Sequence, residues 1–179
     1  IIFLKMKNNY KKLINLTNIF LIILMFIGIY LSFIGGYGSD EDTLALIGAY
    51  ESMMGGGRVM ASRFTPYPVA EIGIGFLSYQ FGSIAANLTT FIFIILSCLF
   101  FFLGLSKKNN LKEVLLFLIL CLSSPVLFFD NIEPIDYSWA FVFLSLGLFS
   151  LKKNYFELAI LLFGISIGAR INFVLFVFA

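Results

Sequence analysis

The chain has 179 residues, of which 60% are hydrophobic, 18% aromatic and 12% charged, with a formal net charge of +2 and a mean hydropathy of +1.00. So few polar side chains cannot cover a soluble globule, which excludes a water-soluble enzyme or binding module and leaves an integral membrane protein. The small positive charge is no nucleic-acid footprint, because the lysines flank apolar runs, and the absence of histidine excludes His-based triads and His zinc sites.

In chain order, Met6 followed by Lys7, Asn8, Asn9, Tyr10, Lys11 and Lys12 reads as a natural start. That makes residues 1–5 upstream sequence, and a stop at Ala179 inside an apolar run makes this the N-terminal part of a longer protein. A helix needs about 20 apolar residues to cross a hydrocarbon core of about 30 Å. Leu13 to Ile34 supplies them without a small-residue cleavage site, so it is a retained span. In the segment 35–80, Ser39, Asp40, Glu41 and Asp42 open an amphipathic helix to Met54, which Gly55, Gly56 and Gly57 stop. Pro66 and Pro68 fit a fixed turn or the first turn of a second short helix, Pro68 to Phe81. Too short to span, that helix is expected at the membrane interface. Further spans are expected at Ala85 to Leu105, Leu111 to Phe129 with a tolerated Pro125, Ile135 to Leu151, and Tyr155 to Phe178. The pattern predicts an all-α polytopic membrane protein: one transmembrane domain over 1–179, with about five transmembrane helices and two short interfacial ones. Cys98 and Cys121 lie in apolar runs with no second cysteine nearby, and are expected as small buried hydrophobes.

Charge sets the sidedness. Every lysine falls in Lys5 to Lys12, Lys107 to Lys112 or Lys152 to Lys153, beside the end of an apolar run, which predicts cytoplasmic loops and a cytoplasmic N-terminus. Arg58, Arg63, Arg170 and all the acids except Glu113 and Glu157 fall on the other side, where the external segments are 35–80 and 130–136. Asp40, Glu41 and Asp42 have an ordinary reading as a capping box from Ser39 and a favourable first helical turn, worth about 0.3–1 kcal/mol per acid. Their company of Arg58, Arg63, Arg170, Glu133 and Asp136 on the same side favours a site. Arg170, about 22 Å up a helix entered at Tyr155, either snorkels to the headgroups or faces an outward cavity, where it binds an anion or pairs with an external acid. Glu133 and Asp136, beside Tyr137 and Trp139, read either as an aromatic belt at a polar loop or as carboxylates converging with the first-loop acids. Converging carboxylates act as base and orienter, or hold a divalent metal ion through oxygen ligands. Spacing does not choose between these.

The arrangement resembles the integral-membrane glycosyltransferases of the GT-C superfold, which include dolichyl-phosphate-mannose protein mannosyltransferases and lipid A aminoarabinose transferases. Asp40-Glu41 stands in the place of that family's acidic pair. Gly55-Gly56-Gly57-Arg58-Val59 through Ser62-Arg63-Phe64-Thr65-Pro66-Tyr67-Pro68, with Glu71, is similar to the glycine-rich turn and Ser-Arg-x-Pro-Gly-x-Pro segment of its bacterial branch. Asp136-Tyr137-Ser138-Trp139-Ala140 is similar to the acidic start of its fourth span, and Gly164-Ile165-Ser166-Ile167-Gly168-Ala169-Arg170 to a Gly-x-x-x-Gly-x-Arg span. Thr65 and Tyr67 interrupt the usual Pro-Gly, and Asp42 adds a third acid, which leaves Asp40 and Asp42 both open as the catalytic carboxylate. The resemblance implies an inverting transferase that moves a sugar from a polyprenyl-phosphate donor to a glycan, lipid or protein acceptor. Asp40 or Asp42 would be the base, Glu41, Glu133 and Asp136 supporting acids or metal ligands, and Arg63, Arg170 and Arg58 the binders of the donor phosphate. The expected location is the inner membrane of a bacterium, with the site on the periplasmic or external face. A transporter or channel subunit with an external polar vestibule is the alternative from another class. It predicts ionisable residues near mid-membrane and broken helices in repeated halves, and neither shows in the sequence, whose spans are almost free of charge apart from Arg170.

Overall fold

The structure, a computed structural model, describes residues 2–38, 41–56, 67–106, 111–130 and 132–177. Among these the regular elements are all helical: α1 (Ile2–Ile34), α2 (Glu41–Met54), α3 (Pro68–Leu105), α4 (Leu111–Ser123), α5 (Pro125–Asp130), α6 (Asp136–Lys152), α7 (Phe156–Ala169), a 3-10 turn (Ile171–Phe173) and α8 (Val174–Val177). From Thr17 onward α1 buries only Gly28 and Ser32, while Phe26, Tyr30 and Phe33 are exposed. Gly28 is the point of contact with α3. A Cβ there would lie 2.0 Å from Cζ of Phe91, so the ring occupies the space a side chain would take.

The first-loop helix ends at Met54 as expected, while Ser39 and Asp40 of its expected opening lie outside the described residues. Its N-terminal turn holds Glu41 and Asp42, and its last turn closes with the Gly55 N–H on the Glu51 carbonyl at 2.9 Å. Thr43, Leu46, Ile47, Ala49 and Tyr50 form its buried face. Tyr50 lies against Gly75 of α3, where any Cβ would approach within 2.2 Å of it.

The short helix expected over Pro68 to Phe81 is not separate from the next span. Both belong to α3, which starts with Pro68 at its first position and bends at Gly82 (φ 78°, ψ −179°). That conformation is open to glycine almost alone, so one residue without a Cβ sets the bend. The third apolar run divides where Pro125 removes a backbone donor, giving α4 and α5 on either side of Ser124. At the end of α6, Asn154 takes the left-handed conformation (φ 63°). Its N–H bonds Leu151 O at 3.0 Å and the Tyr155 N–H bonds Ser150 O at 2.9 Å. This paired closure ends a helix without bare carbonyls and turns the chain back into α7.

The run expected as a continuous helix from Tyr155 to Phe178 is broken. α7 stops at Ala169, Arg170 is extended (φ −160°, ψ 117°), and the 3-10 turn follows. Among the described residues, two helices are long and apolar enough to cross a membrane, the Thr17–Ile34 part of α1 and α3. α4 and α7 have 13 and 14 residues, short of the about 20 of a typical crossing, and α6 has 17, at the lower limit. The observed architecture is therefore all-helical with two candidate spans, where the apolar runs predicted about five.

α3 and α6 share the most extensive helix pair, with α7 against α6 and α2 against α3. Small residues allow this approach, for a Cβ on Gly73 would lie 2.2 Å from the Trp139 ring and one on Gly147 2.5 Å from the Phe163 ring. A second core joins Phe91, Ile94 and Cys98 of α3 to Val114, Leu118 and Leu122 of α4 and to Phe128 of α5. Cys98 is buried in this core and Cys121 packs against it, both as free thiols, which is the role of small apolar residues expected for them. At the end of α3, the Lys152 ammonium of α6 donates to the carbonyls of Leu103 and Ser106, a cation on the negative end of a helix dipole.

Candidate functional site

Four segments meet at the end of the bundle opposite Lys152. Asp136 and Lys152 open and close α6, so at 1.5 Å per residue the two ends lie about 24 Å apart. The C-terminus of α1 is held by Asn87 of α3, which is fully buried and whose Nδ2 donates to Ser32 O at 3.2 Å and Gly36 O at 2.6 Å. The Tyr37 hydroxyl donates to Ser78 O at 3.3 Å, which fastens the start of the first loop to α3 a second time.

From there the two loops expected to be external come together. Gly38 has a positive φ of 74°, and a Cβ on it would fall 2.1 Å from the carboxyl carbon of Glu133. Only glycine fits both the conformation and the space. The Thr43 hydroxyl, in the first turn of α2, donates to Pro134 O at 3.1 Å. Glu41 and Asp42 are exposed beside it and Glu133 is half-buried. The two loops thus meet through Gly38 against Glu133 and Thr43 on Pro134.

Asp136 and Arg170 form the centre of the cluster. Asp136 is 0% exposed and Arg170 8%, and the guanidinium Nη1 meets Asp136 Oδ1 at 2.7 Å. Its Nη2 donates to the Tyr137 hydroxyl. The guanidinium carbon lies 3.3 Å from the Tyr137 ring centroid and 5.7 Å from that of Tyr67, so the cation is held between two aromatic faces. The Tyr67 N–H donates to Glu71 Oε1 at 3.4 Å, and Glu71 is only 2% exposed. Arg170 therefore does not snorkel. Of the readings open for it, pairing with an acid, here Asp136, is the one observed, and among the described residues its Nε–H has no hydrogen-bond partner.

Asp40, Arg58 and Arg63 lie outside the described residues. The divalent-ion alternative finds no fit in what is described: Asp136 is committed to Arg170, and no three of His, Cys, Asp or Glu gather as a metal-binding group among those residues. Three contributors were invisible to sequence reasoning. Thr43 and Asn87 act through hydrogen bonds across the fold, which leave no local signal. Tyr67 was noticed only as an interruption of a loop motif, whereas its ring and backbone connect Arg170 to Glu71. In comparisons with known proteins, no family model, no curated protein and no solved structure matches this chain.

Proposed function

We propose that this chain belongs to a membrane glycosyltransferase that moves a sugar from a polyprenyl-phosphate donor to an acceptor hydroxyl at the membrane face bearing its carboxylates. The observation that supports this reading is the meeting of the two acidic loops, through Thr43 on Pro134 and Gly38 on Glu133. A donor of this kind keeps its tail in the bilayer and its sugar at the surface, so the reaction needs carboxylates at a helix-bundle rim rather than a soluble nucleotide-binding domain. In the proposal, Asp40 or Asp42 takes the proton of the acceptor hydroxyl as general base. The acceptor oxygen then attacks the anomeric carbon, the bond to the phosphate oxygen breaks, and the configuration inverts. Guanidiniums suit the departing phosphate because they bind it in a fork and stay charged. Arg63 and Arg58 would do this, while Arg170 orients Asp136 and retains its Nε–H as a further donor. Glu41 and Glu133 would steer the acceptor. The proposal includes about five spans, a cytoplasmic N-terminus and a bacterial inner membrane, with the site on the external side.

The test is sugar transfer in proteoliposomes that contain the complete protein and a panel of hexosyl and pentosyl polyprenyl phosphates. D40N or D42N should lower the rate by about 100-fold or more, the usual worth of a positioned base. Full activity in both variants would remove the base. A transporter remains the second reading because of a specific observation: α7 breaks at a buried Arg170 and α3 bends at Gly82, as helices lining a transport site do. Arg170-dependent solute flux into sealed vesicles, with no sugar transfer, would favour it.

A further inference from the structure

At the end of the bundle where Lys152 closes α6, a cavity of about 390 Å³ opens between the last turn of α3 and the start of α4, lined by Phe101, Phe102, Leu105, Ser106, Glu113 and Phe117. The Phe117 ring lies 5.6 Å from that of Phe102 and 6.3 Å from that of Phe101, between centroids, and all three are half-buried. They form one apolar wall. The polar features beside it have opposite signs. Glu113, which is exposed, contributes a carboxylate. On the Ser106 side stands the Lys152 ammonium, which donates to the carbonyls of Leu103 and Ser106. An ammonium has three N–H bonds, and because Lys152 is exposed the third is left for a further acceptor.

The cavity lies at the end of a helix long and apolar enough to cross a membrane, which is the depth of the lipid headgroups. Charge decides which headgroup fits. An anionic one is repelled by Glu113, the one ionisable side chain among the described lining residues. A quaternary ammonium is attracted by that carboxylate but has no hydrogen to donate to it. We propose that this cavity holds one zwitterionic phospholipid whose headgroup ends in a primary ammonium, of the phosphatidylethanolamine class. Its ammonium donates to the Glu113 carboxylate, its phosphate accepts the third N–H of Lys152, and the upper part of a chain lies on the rings of Phe101, Phe102 and Phe117. The bound lipid joins the start of α4 to the end of α6, two elements with no extensive contact of their own.

The proposal is independent of any sugar transfer. The complete protein, purified in detergent, is titrated with dioleoyl phosphatidylethanolamine, or with the phosphatidylcholine or phosphatidylglycerol of the same chains, and the lipids retained are counted by native mass spectrometry. One phosphatidylethanolamine should be held about tenfold more tightly than either of the others, the worth of one charge-assisted hydrogen bond. E113Q should remove that preference. L105W, which fills the cavity from a position 61% exposed, should lower retention of the lipid, whereas E51Q, at an exposed acid of α2, should leave it unchanged. Glycerophosphoethanolamine, the same headgroup without chains, should not displace the lipid at equal concentration. The proposal is overturned if the three lipids are retained alike, if E113Q keeps the preference, if E51Q weakens it as much as E113Q does, if L105W retains the lipid as the wild type does, or if the chain-free headgroup competes as an equal.

Discussion

Removing one partner of the Arg170–Asp136 pair should do more harm than removing both. With Asp136 fully buried and Arg170 nearly so, a lone D136A leaves a guanidinium without its counter-charge, at a cost of about 3–5 kcal/mol. D136L combined with R170M should recover most of that loss, because an apolar pair of similar volume is commonly no worse than a buried ion pair. Unfolding by detergent titration in micelles measures this; a double variant as unstable as the single one would mean that Tyr137, Tyr67 or another neighbour depends on the charge. The sequence showed Arg170 as a cation at an awkward depth, and left its fate open for a physical reason. Depth along a helix follows from counting residues, but the identity of a partner 34 positions away depends on how α6 and α7 pack.

At the scale of single elements, bends and ends are governed by few residues. G82A forces a Cβ into a conformation that costs about 1–3 kcal/mol, so it should either lower stability by that amount or straighten α3. A thermal melt, with helix-pair distances from spin labels on residues 72 and 92, separates the two outcomes. Asn87 ties α1 to α3 by two hydrogen bonds, and N87A should cost about 1–3 kcal/mol, because it leaves the buried Ser32 carbonyl without that donor. A loss below about 0.5 kcal/mol would mean that water replaces the amide. Element bounds were legible wherever a residue has a strong local preference: the glycines after Met54, Pro68 at the start of α3 and the lysines after Leu151; at Pro125, expected as a tolerated kink within one span, the helix divides. They were illegible at Arg170, where Gly164 and Gly168 precede the break but no proline marks it. What ends α7 there is the burial of a guanidinium against another helix, a tertiary effect without a local signature.

For the whole molecule, the division between a lysine end and a carboxylate end was readable from charge alone, and α6 now connects the two with Lys152 at one terminus and Asp136 at the other. Sidedness in the membrane is the prediction that belongs here. In a background with Cys98 and Cys121 replaced by serine, E133C should react with an impermeant maleimide on intact cells, and K153C only after permeabilisation. The reverse pattern would invert the protein, and labelling of both from outside would deny that the two ends lie across a membrane. The site was half legible, since sequence named the acids and arginines but not the hydrogen bonds that gather them.

The bond from Lys152 to the final carbonyls of α3 also bears on how the protein is made. α3 leaves the ribosome well before Lys152 does, because the receiving carbonyls lie 46 and 49 positions earlier. Until α6 emerges, those two carbonyls lack the Lys152 ammonium. The nascent chain therefore cannot settle helix by helix in order of synthesis: an early segment waits, incompletely dressed, for a late one to arrive and fasten it.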